Sequence, residues 1–199
     1  MNQSLSLEYV KVLSKIIPMS GIQVFNNEIV LIIRLKQIIP IIRFLRDHLN
    51  CQFKLLVAIS GVDHLETSSR FEINYEILSL KFNSRIRIKT YTNEITCVAS
   101  IVRIHSSANW WEREIWDLYG LFFKNHPDLR RILTDYGFEG YPLRKDFPLS
   151  GYTEVRYDER QKRIVCEPLE LSQEFRVFDF LSPWINSQSG FTLTKTLTV

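Results

Sequence analysis

Hydrophobic positions recur at helical spacing over residues 4–17, where Leu5, Tyr9, Leu13, Ile16 and Ile17 share one face and Pro18 with Gly21 ends the run. The period then shortens. "IQVFNNEIVLIIR" is a pair of β-prone runs flanking Asn26 and Asn27, residues that tolerate the positive φ angles of a two-residue hairpin turn. Ile38, Ile41, Ile42, Leu45 and Leu49 predict a second amphipathic helix, with Pro40 accommodated in its first turn and Asn50 as its C-terminal cap. "FKLLVAIS" reads as a buried strand stopped by "GVD". In "FEINYEIL", Phe71, Ile73, Tyr75 and Ile77 alternate with polar residues, and in "SRIRIKTYT", Ile86 and Ile88 face away from Arg85, Arg87 and Lys89. Residues 95–106 carry no decisive period. The pattern predicts an α+β fold, a small, mostly antiparallel sheet with flanking helices.

The texture changes from residue 107. "SANWWEREIWDLYGLFF" predicts a short aromatic helix with Asn109 as N-cap, Glu112 completing a capping box, Trp111, Ile115, Leu118 and Tyr119 on the apolar side, and Gly120 as the stop. Glu112 and Asp117 are expected off that face. Glu112 and Glu114, two residues apart, point about 200° away from each other on a helix, so they cannot flank one bond as the paired acids of a hydrolase do. Ion pairs with Arg113 that fix the helix are the expected role. "KNHPDLRRIL" predicts a helical turn begun by Pro127, with Asp128 at its positive end and Arg130 and Arg131 pointing outward. His126 has no second histidine or cysteine close in sequence, and reads as a capping or hydrogen-bonded residue rather than a metal ligand.

The glycines of "GFEGYPLRKDFPLSGYTEVRYD", residues 137–158, match neither phosphate-binding pattern, so no phosphate cradle is expected there. Tyr141, Leu143, Phe147 and Leu149 instead supply apolar anchors around Arg144, Lys145 and Asp146, between prolines that favour extended backbone. Burying each large apolar side chain contributes roughly 1.5–3 kcal/mol, so a receiving surface is expected. A charged hairpin follows near 153–167, and "LELSQEFRVFDFLSPW" adds Phe175, Phe178, Phe180 and Trp184. The chain is therefore divided into an α+β domain over 1–123 and an extended, largely irregular, partner-wrapping arm over 124–199.

Composition narrows the choices. With 199 residues and 45% hydrophobic content a core can form, while 25 basic against 22 acidic residues, net +3, is too balanced for a polyanion track. The basic strand also lacks the aromatic stacking motif of an RNA-binding sheet, so nucleic acid is not an expected partner. Cys51, Cys97 and Cys166 are too far apart for a zinc or iron–sulfur cassette and are expected as small buried hydrophobes in a reducing compartment. No apolar run reaches about 18 residues and the N-terminus lacks a signal-peptide core, so no membrane span is expected.

"WWEREIWDLYGLFFKNHPDLRRIL", "TDYGFEGYPLRKDFPLSGYTEVRYD" and "VCEPLELSQEFRVFDF" closely resemble the 30 kDa subunit family of respiratory complex I, the NADH:ubiquinone oxidoreductase, over about residues 60–185. The resemblance implies a non-catalytic scaffold subunit of the peripheral, matrix-side arm at the mitochondrial inner membrane, or of the equivalent bacterial cytoplasmic face. It implies an obligate hetero-oligomer in which this chain clamps the 49 kDa subunit. FMN and iron–sulfur clusters would sit on other subunits, and this chain would bind no cofactor or metal. Glu112, Arg113, Glu114, Asp117, Gly120, His126, Asp128, Arg130 and Leu133 fill the family's motif, with fold and interface roles; Arg144 and Asp146 are added as interface residues. Two other readings stay open, the equivalent subunit of a related quinone- or ferredoxin-linked membrane oxidoreductase and an independent hydrolase.

Overall fold

The computed structural model describes residues 3–25, 28–176 and 178. These fall into two compact units, the first running to Arg144 and the second starting at Lys145.

In the first unit α1 (Gln3–Ile16) buries Leu13, and Ile17 just beyond it, whereas Ile16 is half exposed, so the apolar stripe is narrower than its sequence suggests. β1 (Gly21–Phe25) pairs antiparallel with β2 (Glu28–Ile32), in register from Gly21↔Ile32 to Phe25↔Glu28. The expected turn at Asn26 and Asn27, and the side chain of Leu5, lie outside the described residues. α2 (Ile38–Asp47) buries Ile38, Ile41, Ile42 and Leu45. Its end differs from expectation. His48 is the C-cap in extended geometry, its N–H bonding the Phe44 carbonyl, so Leu49 and Asn50 are left beyond the helix and Leu49 is exposed.

β3 (Leu55–Asp63) continues through Gly61, Val62 and Asp63 instead of stopping there. The glycine has a packing reason, since a Cβ at Gly61 would lie 2.8 Å from Cε2 of Tyr119. The sheet order is β1-β2-β5-β4-β3, with β4 spanning Phe71–Ser79 and β5 Ser84–Thr92. β3 is thus an edge strand, alternately buried and exposed rather than buried throughout. Within this sheet β2 and β5 run parallel and the other pairs are antiparallel. The α+β reading holds. On the sheet face opposite Ile86 and Ile88, Lys89 pairs with Glu72 at 2.9 Å, and Arg87 with Glu76 at 2.9 Å and Glu28 at 3.7 Å. Two of the three bases on that face, Arg87 and Lys89, are thus paired with acids of their own sheet.

The unassigned stretch 95–106 contains β6 (Val98–Ala99), parallel to β7 (Phe123–Lys124), and turns that bury Ile101 and Ile104. Between them α3 (Ala108–Tyr119) packs on β3. Of the cysteines, Cys51 is buried and accepts a hydrogen bond from Tyr9 at 3.3 Å, but Cys97 and Cys166 are exposed, contrary to the expectation for all three. In the second unit β8 (Thr153–Asp158) and β9 (Arg163–Pro168) form an antiparallel ribbon. Among the described residues no helix is long and apolar enough to cross a membrane.

Candidate functional site

α3 begins at Ala108 with Ser107 as N-cap, so Asn109 lies inside the helix and no capping box forms. Glu112 turns inward. Ala108, Glu112 and Ile115 follow the i, i+4, i+7 spacing of one helix face, and all three are buried. The Glu112 carboxylate accepts hydrogen bonds from Ser100 Oγ (2.6 Å) and the Ile101 backbone N–H (2.7 Å). Burial pushes its pKa up to about 7, against the opposing effect of these two donors. His126 Nε2 stands 3.8 Å from the same carboxylate, and neither side chain is accessible to solvent. The imidazole Nδ1 accepts the Asp128 N–H at 3.1 Å, which leaves the hydrogen on Nε2 to be donated to the Asn109 carbonyl at 3.2 Å.

Asp117 is the second buried acid of α3, also contrary to expectation. Its Oδ2 accepts the backbone N–H groups of Ile132 (3.2 Å), Leu133 (2.7 Å) and Thr134 (2.9 Å). Its Oδ1 accepts Thr134 Oγ1 at 2.6 Å and an Arg131 guanidinium N–H at 3.4 Å. Burial disfavours the charge, but the donors from Thr134, Leu133 and Ile132 outweigh it and hold the pKa below the ordinary aspartate value. No helix starts at Pro127; the backbone of 128–134 is irregular, and α3 supplies the acceptors and donors that hold it. Arg113 donates to the carbonyls of Arg130 (3.2 Å) and Arg131 (3.4 Å). Arg131, expected to point outward, instead reaches Asp117 and the Gly140 carbonyl (3.1 Å) and lies over the Tyr141 ring.

The end of α3 is closed by Gly120 at φ +76°, the expected stop. Arg144 completes it. Its Nε donates to the Tyr119 carbonyl at 2.8 Å, its Nη1 stands 3.4 Å from Glu94, and its guanidinium lies over the rings of Tyr141 (4.7 Å) and Phe71 (5.3 Å). Arg70 covers Phe71 as well, at 5.1 Å, while holding Asp63 and Glu94. A Cβ at Gly120 would meet Tyr141 at 2.6 Å and Arg144 Nη2 at 2.8 Å.

The expected residues therefore separate by place. Glu112 and His126 meet in the interior; Asp117, Arg113 and Leu133 meet along α3; Gly120 and Arg144 meet at its end. Asp128 and Arg130 form an exposed pair at 2.9 Å. Glu114 borders a cleft of about 330 Å³ with Trp110, Trp111, Ile132 and Leu133. Asp146 belongs to the second unit. Sequence reading missed Ser100 and Glu94, and placed Phe71 in its strand without linking it to Arg144; all three partners are brought in from distant strands and turns. Among the described residues no group of three His, Cys, Asp or Glu side chains is placed to hold a metal ion. Chemically, the buried carboxylates are committed to the protein's own donors, and what they do is fix backbone.

The architecture is a small mixed sheet backed by helices, with an acid-rich helix, α3, organising the segment after it. Residues 31–153 match the family described as "Respiratory-chain NADH dehydrogenase, 30 Kd subunit", and the chain belongs to that family. It is 61% identical over 145 residues, 73% of this chain and 76% of the relative, to "NADH-ubiquinone oxidoreductase subunit 9" of Prototheca wickerhamii. To a bacterial relative, a subunit of the NADH-quinone oxidoreductase of Hyphomonas neptunium, it is 54% identical over 162 residues, 81% of this chain and 80% of the relative. In fold it is similar, with a TM-score of 0.62 at 20% identity, to a chain in "Structure of the membrane-bound sulfane sulfur reductase (MBS), an archaeal respiratory membrane complex"; the match covers 74% of this chain and 87% of that one.

Proposed function

We propose that this chain is a non-catalytic scaffold subunit in the peripheral arm of the proton-translocating NADH:ubiquinone oxidoreductase, on the matrix side of the mitochondrial inner membrane. It clamps the 49 kDa subunit, while FMN and the iron–sulfur clusters are carried by other chains. Its contribution to electron transfer is geometric, because transfer and quinone reduction depend on how closely the redox groups are held.

The observation that supports this reading is the ribbon of the second unit. Register pairs Val155 with Cys166 and Tyr157 with Ile164, so the apolar side chains share one face, while Arg156 and Glu167 pair on the other at 2.7 Å. Val155, Tyr157 and Ile164 are each more than half exposed. A two-stranded ribbon is marginal in water without a layer on its apolar face, and exposed apolar residues grouped in this way mark a contact surface. Cation-over-ring packing such as Arg144 on Tyr141 gives the first unit rigid surfaces of the kind a scaffold needs.

The test is native-gel co-migration of the tagged chain, followed by mass spectrometry of the band. The reading expects an NADH-oxidising assembly containing the 49 kDa subunit, and no activity in the chain alone. A co-migrating complex that oxidises no NADH identifies the related quinone- or ferredoxin-linked oxidoreductase instead. Hydrolysis by the isolated chain overturns both.

A further inference from the structure

The cleft between α3 and the segment after β7 has a construction that the scaffold role alone does not require. Trp110 and Trp111 form one wall and Ile132 and Leu133 the other, with Glu114 at the margin. Trp110 is 68% exposed and Leu133 61%, so two large apolar side chains line an open recess of about 330 Å³. The backbone of its second wall is held by hydrogen bonds from α3. Asp117 takes the backbone N–H groups of both Ile132 and Leu133, and Arg113, one turn before it, takes the carbonyls of Arg130 and Arg131. One α3 thus supplies the tryptophan wall and, through two charged side chains, fixes the backbone of the facing wall. Preformed recesses lose little entropy on binding, and exposed tryptophan beside aliphatic residues is the composition of interface hot spots.

Charge defines the occupant. Arg113 is directed to backbone carbonyls and Arg131 to Asp117, leaving no cation within ion-pair distance of Glu114 among the described residues. An apolar recess with one such carboxylate on its margin is complementary to an aliphatic side chain that has a lysine or arginine beside it. We propose that this cleft receives a protein segment of the assembled complex that inserts a branched aliphatic side chain between Trp110 and Leu133 and places an adjacent Lys or Arg on Glu114. The proposal rests on the scaffold reading, and it gives the Asp117 network a purpose: shaping a receptor site.

The experiment uses the full-length chain in its native assembly. Wild type, Trp110→Ala, Leu133→Asp, Glu114→Gln and Glu114→Lys are expressed in a background lacking the native copy, with incorporation read from native gels. A photo-crosslinking residue at position 133 reports the neighbour. Both apolar positions are exposed, so the free variants retain the wild-type circular dichroism and melting temperature. Incorporation is expected to fall about tenfold or more for Trp110→Ala and Leu133→Asp. Glu114→Lys is expected to fall further than Glu114→Gln. The crosslinked peptide contains an aliphatic residue next to Lys or Arg on a different polypeptide. Variants that incorporate at the wild-type level overturn the cleft. So does a crosslink to residues 179–199 of this chain, to a second copy, or to an acidic peptide. Failure of the wild-type chain itself to enter an NADH-oxidising assembly overturns the scaffold reading instead, and the two failures are told apart by that lane.

Discussion

The imidazole of His126 stands 3.8 Å from the carboxylate of Glu112, and both side chains are closed to solvent. The pair links α3 to the segment after β7, while Ser100 and Ile101 tie the same carboxylate to the turns after β6. Three stretches of chain thus meet at one acid whose charge is disfavoured by burial.

That arrangement fixes a pH dependence. Glu112 ionises at about 7 in the folded chain against 4.5 for an ordinary glutamate. Folding favours the protonated form, so this contribution to stability is complete below about pH 4.5 and is lost as pH rises through 7. Wild type is expected to lose more of its melting temperature between pH 5 and pH 8 than Glu112→Gln, by a few degrees at ~2–4 °C per kcal/mol for a chain of this size. Parallel pH profiles for the two proteins refute the assignment.

Asp117 has the opposite sign. Its folded pKa is depressed, so its stabilisation is present above the ordinary aspartate value and is lost as pH falls through the folded value. Asp117→Asn turns an amide NH2 toward a cluster of backbone donors and is expected to cost about 1–3 kcal/mol in urea unfolding. Hydrogen exchange is the sharper readout. The amides of Ile132, Leu133 and Thr134 should lose protection in the variant while β4 keeps its own; unchanged protection at those three positions would show that the carboxylate does not hold them.

Much of the first unit could be read because its signals are local. The face of α2, the alternation of β5 and the stop at Gly120 depend on residues within one or two turns of each other, whereas β4 buries its polar Glu72 and Asn74 along with its apolar residues. Glu112 was misplaced although its spacing from Ala108 and Ile115 puts it on the buried stripe; a charged residue there looks like a face boundary until Ser100 and Ile101 arrive from elsewhere. Asp117 had no periodic signal at all, since its donors follow it by 14 to 17 residues through an irregular segment. The end of α2 and the edge position of β3 were unreadable for a related reason. Both are set by what packs alongside, not by the residues themselves.

Gly120 is where local and tertiary requirements coincide. It needs φ +76° to end α3, and the space a side chain would take is filled by Tyr141 and Arg144. Gly120→Ala is expected to destabilise by roughly 2–4 kcal/mol, combining backbone strain with displacement of those two residues. A loss under about 0.5 kcal/mol would mean that neither constraint is real in solution.

Arg144 tests the scaffold reading from within the first unit. Arg144→Lys keeps the charge but loses the planar fork that joins the Tyr119 carbonyl, Glu94 and two aromatic rings. Assembled complex and NADH:quinone activity are expected to fall in proportion, with Arg144→Ala worse than Arg144→Lys. Full assembly with turnover lost would assign this arginine to the chemistry.

The ribbon of the second unit gives the last test, because its two faces make opposite predictions. Val155 and Ile164 lie on the apolar face and are exposed, so Val155→Glu with Ile164→Lys should leave the free chain's secondary structure intact. If that face meets a partner, burying the new charges costs more than the contact returns, and incorporation into the assembly should drop about tenfold or more. Arg156 and Glu167 pair on the opposite face at the surface, where an ion pair contributes ~0–1 kcal/mol. Arg156→Gln with Glu167→Gln should therefore assemble almost normally. Equal losses from the two double variants would mean that the ribbon is needed only as a folded element; a loss confined to the apolar face identifies the side that a partner covers.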